Sequence, residues 1–247
     1  MKHFMPFSVV ILAVALLASG CKKSAPTEGT NEIEQPASAS DKSASTDREP
    51  IANTSPEGSS MDTTSNAYIV FDGSGSMAGE PIEQAKRAVT TFIAAAPADL
   101  NIGLYVFDKD DSTGREVVPL GRGEAQRAEL ARALRRVEAG GGTPLGEAIK
   151  VGIAALIKQF QKQLRYGDIR LIVVTDGAAS DEQAFEQSIE FAQKYQVPIY
   201  TVGFRIGNSH VLRQFSESYF TANDEKQLLG AMRETLAELD DSTSLDF

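Results

Sequence analysis

Cysteine and histidine are the scarce residues of this chain, and their scarcity bounds the metal chemistry open to it. Among 247 residues there is one cysteine, Cys21, and two histidines, His3 at the extreme N-terminus and His210. A zinc site of the usual nitrogen and sulfur ligands cannot be assembled from these. A lone cysteine also excludes an intrachain disulfide, whatever the redox compartment. Basic charge is short as well, with 24 Lys and Arg against 34 Asp and Glu. Nucleic acid needs a basic face, so it is disfavoured as a partner. Neither a P-loop nor a Gly-x-Ser-x-Gly nucleophile elbow is present. Any metal would have to be held by oxygens, which points to magnesium, calcium or manganese.

The N-terminus is organised for export. Met1-Lys2-His3 is a basic start, and the apolar stretch from Phe7 to Leu17 is too short to span a bilayer as a mature helix. Leu17-Ala18-Ser19-Gly20-Cys21 follows, and small residues before a cysteine resemble a bacterial lipobox, with Ala18 where leucine is more usual. The resemblance implies a signal peptide over 1–20, cleavage before Cys21 and acylation of Cys21, which would anchor the protein in a membrane. Lys22 follows the cysteine, as in the outer-membrane sorting pattern of a diderm, which would place the protein in the cell envelope facing the periplasm. Residues 21–66 are rich in Ser, Thr, Ala, Pro, Glu and Asp and poor in apolar side chains. Such a segment cannot bury enough surface to offset chain entropy and is expected to be a disordered tether. Its typical end-to-end distance would be roughly 35–40 Å.

From Ala67 onward, strands and helices alternate. Ala67–Asp72, Asn101–Asp108, Ile169–Thr175 and Pro198–Phe204 read as strands; Ile169–Thr175 is apolar nearly throughout, as central parallel strands are. Glu116–Leu120 reads as a short antiparallel edge and Tyr219–Thr221 as another edge strand. Helices are expected over Glu80–Ala96, Glu124–Ala139, Pro144–Gln163, a segment ending at Tyr195, the short His210–Glu217, and Glu225–Leu239. Ser180 with Gln183 forms the pattern of a capping box before the fourth of these. The alternation predicts an α/β fold, a doubly wound and mostly parallel sheet with helices on both faces, over residues 67–240, with a frayed tail over 241–247.

The chemistry gathers where the strands end. Asp72-Gly73-Ser74-Gly75-Ser76-Met77 follows the first strand, Asp176-Gly177 follows a later central one, and Gly140-Gly141-Gly142-Thr143-Pro144-Leu145 enters a packed helix. In a parallel sheet such loops open on one edge. They would deliver the carboxylates of Asp72 and Asp176 and the hydroxyls of Ser74, Ser76 and Thr143 to one point, a donor set suited to octahedral magnesium. Two other readings stay open. Gly73 to Gly79 follows a strand and opens a helix, as a dinucleotide-binding turn does. The other is a structural module with an unoccupied site. Asp108 is expected to be a turn residue, and Arg205 and His210 isolated surface side chains.

Asp-Gly-Ser-Gly-Ser-Met, Gly-Gly-Thr-Pro-Leu and Thr-Asp-Gly, in this order, resemble the von Willebrand factor type A domain in its bacterial form. The resemblance implies a metal-ion-dependent adhesion site. In it, Ser74 and Ser76 would bind the ion directly, Thr143 directly or through water, and Asp72 and Asp176 mostly through water. Magnesium is implied, with manganese or calcium as alternatives. An Asp or Glu of a partner protein would complete the coordination. No catalytic residues are implied, so the expectation is a protein-binding module and not an enzyme.

Overall fold

The computed structural model describes residues 62–206 and 210–242, with side chains through Leu236. The export signal, Cys21 and most of the tether lie outside the described residues, as does the tail from residue 243. Among the described residues no helix is long and apolar enough to cross a membrane.

Six strands form one sheet: β1 (Asn66–Asp72), β2 (Asn101–Phe107), β3 (Arg115–Gly121), β4 (Ile169–Thr175), β5 (Ile199–Phe204) and β6 (Ser218–Ala222). Their order is β3-β2-β1-β4-β5-β6, parallel throughout except for β3, which runs antiparallel to β2. This is the expected doubly wound α/β architecture. All seven residues of β1 are buried, as are all seven of β2, because helices cover both faces. The two-residue period of a strand divides β1 between two cores. Ala67, Ile69 and Phe71 pack with α1 (Glu80–Ala95), α2 (Glu124–Arg136) and α5 (Glu225–Ser242), while Tyr68 and Val70 pack with α3 (Leu145–Lys162) and α4 (Glu182–Tyr195).

Several boundaries differ from expectation for identifiable reasons. The second helix stops at Arg136, short of Ala139, because the following residues are claimed by neighbouring loops. Lys109 N–H donates to the Glu138 carbonyl at 3.0 Å, and Gly140 N–H donates to the Gly73 carbonyl at 2.9 Å. The capping box of Ser180 and Gln183 does not form. Helix α4 starts at Glu182 behind Asp181, and Ser180 turns its hydroxyl to a different loop. The segment after His210 is a short 3-10 turn, Val211–Gln214, and the final helix continues to Ser242.

At the N-terminal edge of the sheet, buried amides tie the entry of β1 to its neighbours. Asn101 Nδ2 donates to Asn66 Oδ1 at 2.9 Å, and Asn66 Nδ2 donates to Gln163 Oε1 at 2.8 Å. Gln163 Nε2 in turn donates to the Thr64 carbonyl at 2.8 Å. These bonds satisfy polar groups that would be costly to bury alone.

Candidate metal centre

The opposite edge carries the chemistry. β1 and β4 are neighbours in parallel register, so Asp72 and the Thr175-Asp176 step emerge side by side. Asp72 is fully buried. Its Oδ1 accepts from the Ser74 N–H at 2.8 Å, which turns the chain, and its Oδ2 accepts from the Thr175 hydroxyl at 2.5 Å. The Ser74 and Ser76 hydroxyls lie 3.0 Å apart, and the Ser76 hydroxyl donates to Asp176 Oδ1 at 2.7 Å. Thr143 arrives from the loop before α3. A Cβ on Gly177 would sit 3.8 Å from Ser76 Oγ and 3.9 Å from Thr143 Oγ1, so the two hydroxyls flank the same small space. The five residues singled out from the sequence thus come to one edge of the sheet.

Backbone hydrogen bonds lace these loops together. Gly73 N–H donates to the Phe107 carbonyl at 2.9 Å, and Gly75 N–H to the Gly141 carbonyl at 3.2 Å. Gly73 must be glycine, since a Cβ there would lie 2.8 Å from the Phe107 carbonyl oxygen and 2.9 Å from Val137 Cγ1. The Thr143 loop is held by the loop after β4. Thr143 N–H donates to Ser180 Oγ at 3.2 Å, and Ser180 N–H donates to the Thr143 carbonyl at 2.9 Å. Asp181 then accepts from the N–H groups of Gly146 and Glu147, both at 3.0 Å, and so caps the first turn of α3.

Three contributors have no role at the site in the sequence reading. Thr175 and Ser180 are ordinary hydroxyls whose partners lie far along the chain. His210, expected to be an isolated surface residue, is partly buried and tied to the site's rim. Its Nδ1 accepts from the Leu212 N–H at 3.1 Å, which leaves Nε2 to carry the proton, 2.7 Å from the Gly177 carbonyl. Arg205 is not isolated either, since it hydrogen-bonds Gln84 at 3.2 Å. Asp108 closes its own turn. Its Oδ1 accepts from the N–H groups of Asp110 and Asp111, both at 3.1 Å, and from Arg115 Nη1 at 2.9 Å.

The electrostatics are suited to a cation. Burial raises the Asp72 carboxyl above its ordinary value, opposed by its hydrogen bonds, and the charge of Asp176 raises it further. Burial likewise raises Asp176. Two unscreened carboxyls near each other are relieved by positive charge. The donor set is also compatible with a small divalent ion. Adjacent oxygens around octahedral magnesium stand about 3 Å apart, given bonds of about 2.1 Å, and the two serine hydroxyls have that spacing. Among the described residues no three His, Cys, Asp or Glu side chains converge, so a cation here would depend on hydroxyls. A phosphate finds less. The N–H groups of Gly73, Ser74, Gly75, Met77 and Ala78 are all donated within the protein, which leaves little of the amide cradle that a dinucleotide turn offers.

Residues 66–234 match the family model of the von Willebrand factor type A domain. The uncharacterized protein sll0103 of Synechocystis sp. is 30% identical over 139 residues, 56% of this chain and 32% of that protein. The chain therefore aligns with only about a third of that relative's length. Among solved structures, the pilus adhesin SpaC from Lactobacillus rhamnosus GG has a TM-score of 0.59 at 16% identity, over 71% of this chain and 30% of that one. The vWF domain of the type V pili tip protein Mfa5 from Porphyromonas gingivalis has a TM-score of 0.58 at 12% identity, over 75% of this chain and 98% of that one. At such identities the structural likeness is one of fold. With the family model covering most of the chain, this protein belongs to the von Willebrand factor type A domain family.

Proposed function

We propose that the domain is a non-catalytic binding module that engages a partner protein through a divalent cation, magnesium in the first instance and manganese or calcium as alternatives. Ser74, Ser76 and Thr143 would hold the ion by their hydroxyls, while Asp72 and Asp176 balance its charge from behind. When bound, the ion supplies an electrophilic point for an Asp or Glu carboxylate of the partner. The chain's own work is positioning. Asp72 fixes the serine turn through the Ser74 N–H, Thr175 orients Asp72, and Ser180 steadies Thr143. The observation that carries the reading is the continuous run of oxygens from Ser74 through Ser76 to Asp176, at 3.0 and 2.7 Å, in front of a buried carboxylate.

Calorimetric titration with magnesium tests the site. Binding is expected to the wild type and not to Asp72→Ala or Asp176→Ala; tight NADH binding in chelator would overturn the reading. The partner is tested by recovery from envelope extract with and without chelator, and equal recovery in both sinks the metal-bridged mechanism.

The same proposal places the module in the cell envelope, lipid-anchored through Cys21 and, in a diderm, on the outer membrane facing the periplasm. Its support is the lipobox-like run ahead of the chain's only cysteine. Cys21→Ser is expected to shift the protein to the soluble fraction, and retention on membranes would refute the anchor.

A further inference from the structure

Beside the metal centre, but separate from it, α4 and the turn Val211–Gln214 leave a groove of about 550 Å³. It begins at Ala178 and Ala179, just after Asp176, and follows α4 as far as Gln193. Its floor is apolar, with Phe185 and Ile189 from α4 and Val211 and Phe215 from the turn and its end. The first two are buried, whereas Val211 and Phe215 are each 39% exposed. A smaller hollow of about 240 Å³ shares Ile189 and Phe215 and carries the depression on to Val197 and Pro198. The trough therefore runs the length of α4, 14 residues or about 21 Å. Single exposed apolar side chains are ordinary, but two that share a trough over an apolar floor form a patch.

One wall of this trough is acidic. Glu182, Glu186 and Glu190 line it at successive turns of α4, and all three are exposed. Among the described residues none of the three has an ion-pair partner. Elsewhere on the surface Glu80, Glu83, Glu129, Glu138, Glu147 and Glu225 each face an Arg or Lys, while Glu116, Glu124, Glu217 and Glu234 have no such ion pair among the described residues and do not form a row. Like charges one turn apart weaken a helix, and in this row Glu186 stands between two glutamates, with only the place of Glu182 in the first turn and Lys194 one turn beyond Glu190 in compensation.

We propose that the trough is a docking site for a cationic amphipathic helix of a partner protein. Its apolar stripe would lie on Phe185, Ile189, Val211 and Phe215. Lys or Arg at i, i+4 and i+8 would meet Glu182, Glu186 and Glu190. The glutamates repeat about every 6 Å along α4, the rise of the same spacing on a second helix. An extended segment repeats at about 6.4–6.8 Å and drifts from the row by about 1–2 Å over its three positions, so a helix is the better match. None of these side chains belongs to the metal centre, so the two surfaces are separable.

The test uses the full chain, kept unacylated by Cys21→Ser, in chelator. A fluorescent leucine–lysine peptide of about 14 residues, with lysines at i and i+4, is titrated and followed by anisotropy. Saturable one-to-one binding is expected. It should weaken about tenfold or more in Phe215→Ser and in the double variant Glu186→Lys, Glu190→Lys, and be unchanged in Asp72→Ala. Each substituted residue of the groove is exposed, so the variants should keep the fold, and circular dichroism checks it. Equal binding by the charge-reversed variant would attribute the signal to overall acidity and overturn the proposal. Loss of binding in Asp72→Ala would assign it to the metal centre instead. Equal binding of a proline-interrupted peptide would replace the helix by an extended segment. Self-association of the protein that Phe215→Ser abolishes would make a second copy the occupant.

Discussion

Two glycines in one turn meet opposite constraints, and single substitutions separate them. A Cβ on Gly73 meets the Phe107 carbonyl oxygen and Val137 Cγ1 inside van der Waals distance, whereas a Cβ on Gly75 comes no nearer than 3.5 Å, to the Gly141 carbonyl oxygen. Gly73→Ala is therefore expected to cost about 1–3 kcal/mol in urea denaturation, by the overpacking rule, and Gly75→Ala much less. The carboxyls behind that turn make a second prediction. Both are held above their ordinary value of 3.8, chiefly by burial. The native state then keeps protons that the unfolded chain releases, so ionisation weakens the metal-free fold as pH rises from 3.8 through the raised native values. Asp176→Asn removes one of these charges. In chelator its stability relative to wild type should grow as pH rises above 3.8, and saturating magnesium should reverse that advantage once both carboxyls are ionised. Paired denaturation curves check both statements.

Elements explain how loops distant in sequence act as one site. The loop after β4 reaches across to the start of α3, where the Asp181 carboxylate accepts two N–H groups and Ser180 holds Thr143. Asp181→Ala should lower stability by about 1 kcal/mol, the worth of a helix cap, with an unchanged denaturant slope. It should also weaken magnesium binding, read by calorimetry, because Thr143 precedes the frayed turn. The strands were legible in the sequence for a simple reason. β1 and β4 are apolar runs closed by Asp-Gly turns, so their ends and the acids on them could be placed without knowing any neighbour. The donors Ser74 and Ser76 came with them. Thr175 was not legible as a site residue, because its partner Asp72 is 103 positions away. His210 was hidden likewise, since the Gly177 carbonyl is 33 positions away. The end of α2 is not legible because Val137-Glu138-Ala139 continue an amphipathic pattern while the Glu138 carbonyl and the Gly140 N–H bond to other loops.

At the scale of the whole domain, β1 occupies the middle of the sheet. It is flanked by parallel β2 on one side and parallel β4 on the other, in register over nearly its whole length. The chain enters this strand at Asn66 and leaves it at Asp72, so the amide clasp and the serine turn stand at opposite ends of one seven-residue segment. That placement has a mechanical consequence. A pull between the segment ahead of Asn66 and a ligand held at Ser74 and Ser76 is directed along the strand axis. Tension in that direction shears both ladders together and cannot open them one bond at a time. Force spectroscopy with one attachment near Asp62 and the other near Ser76 should give a higher rupture force than attachments that peel the edge strand β6. Asn66→Ala, which removes the clasp but leaves the ladders, should lower the force at which the entry of β1 first yields. The fold thus puts its most strongly braced strand in line with the load that a tethered, ligand-holding domain would bear.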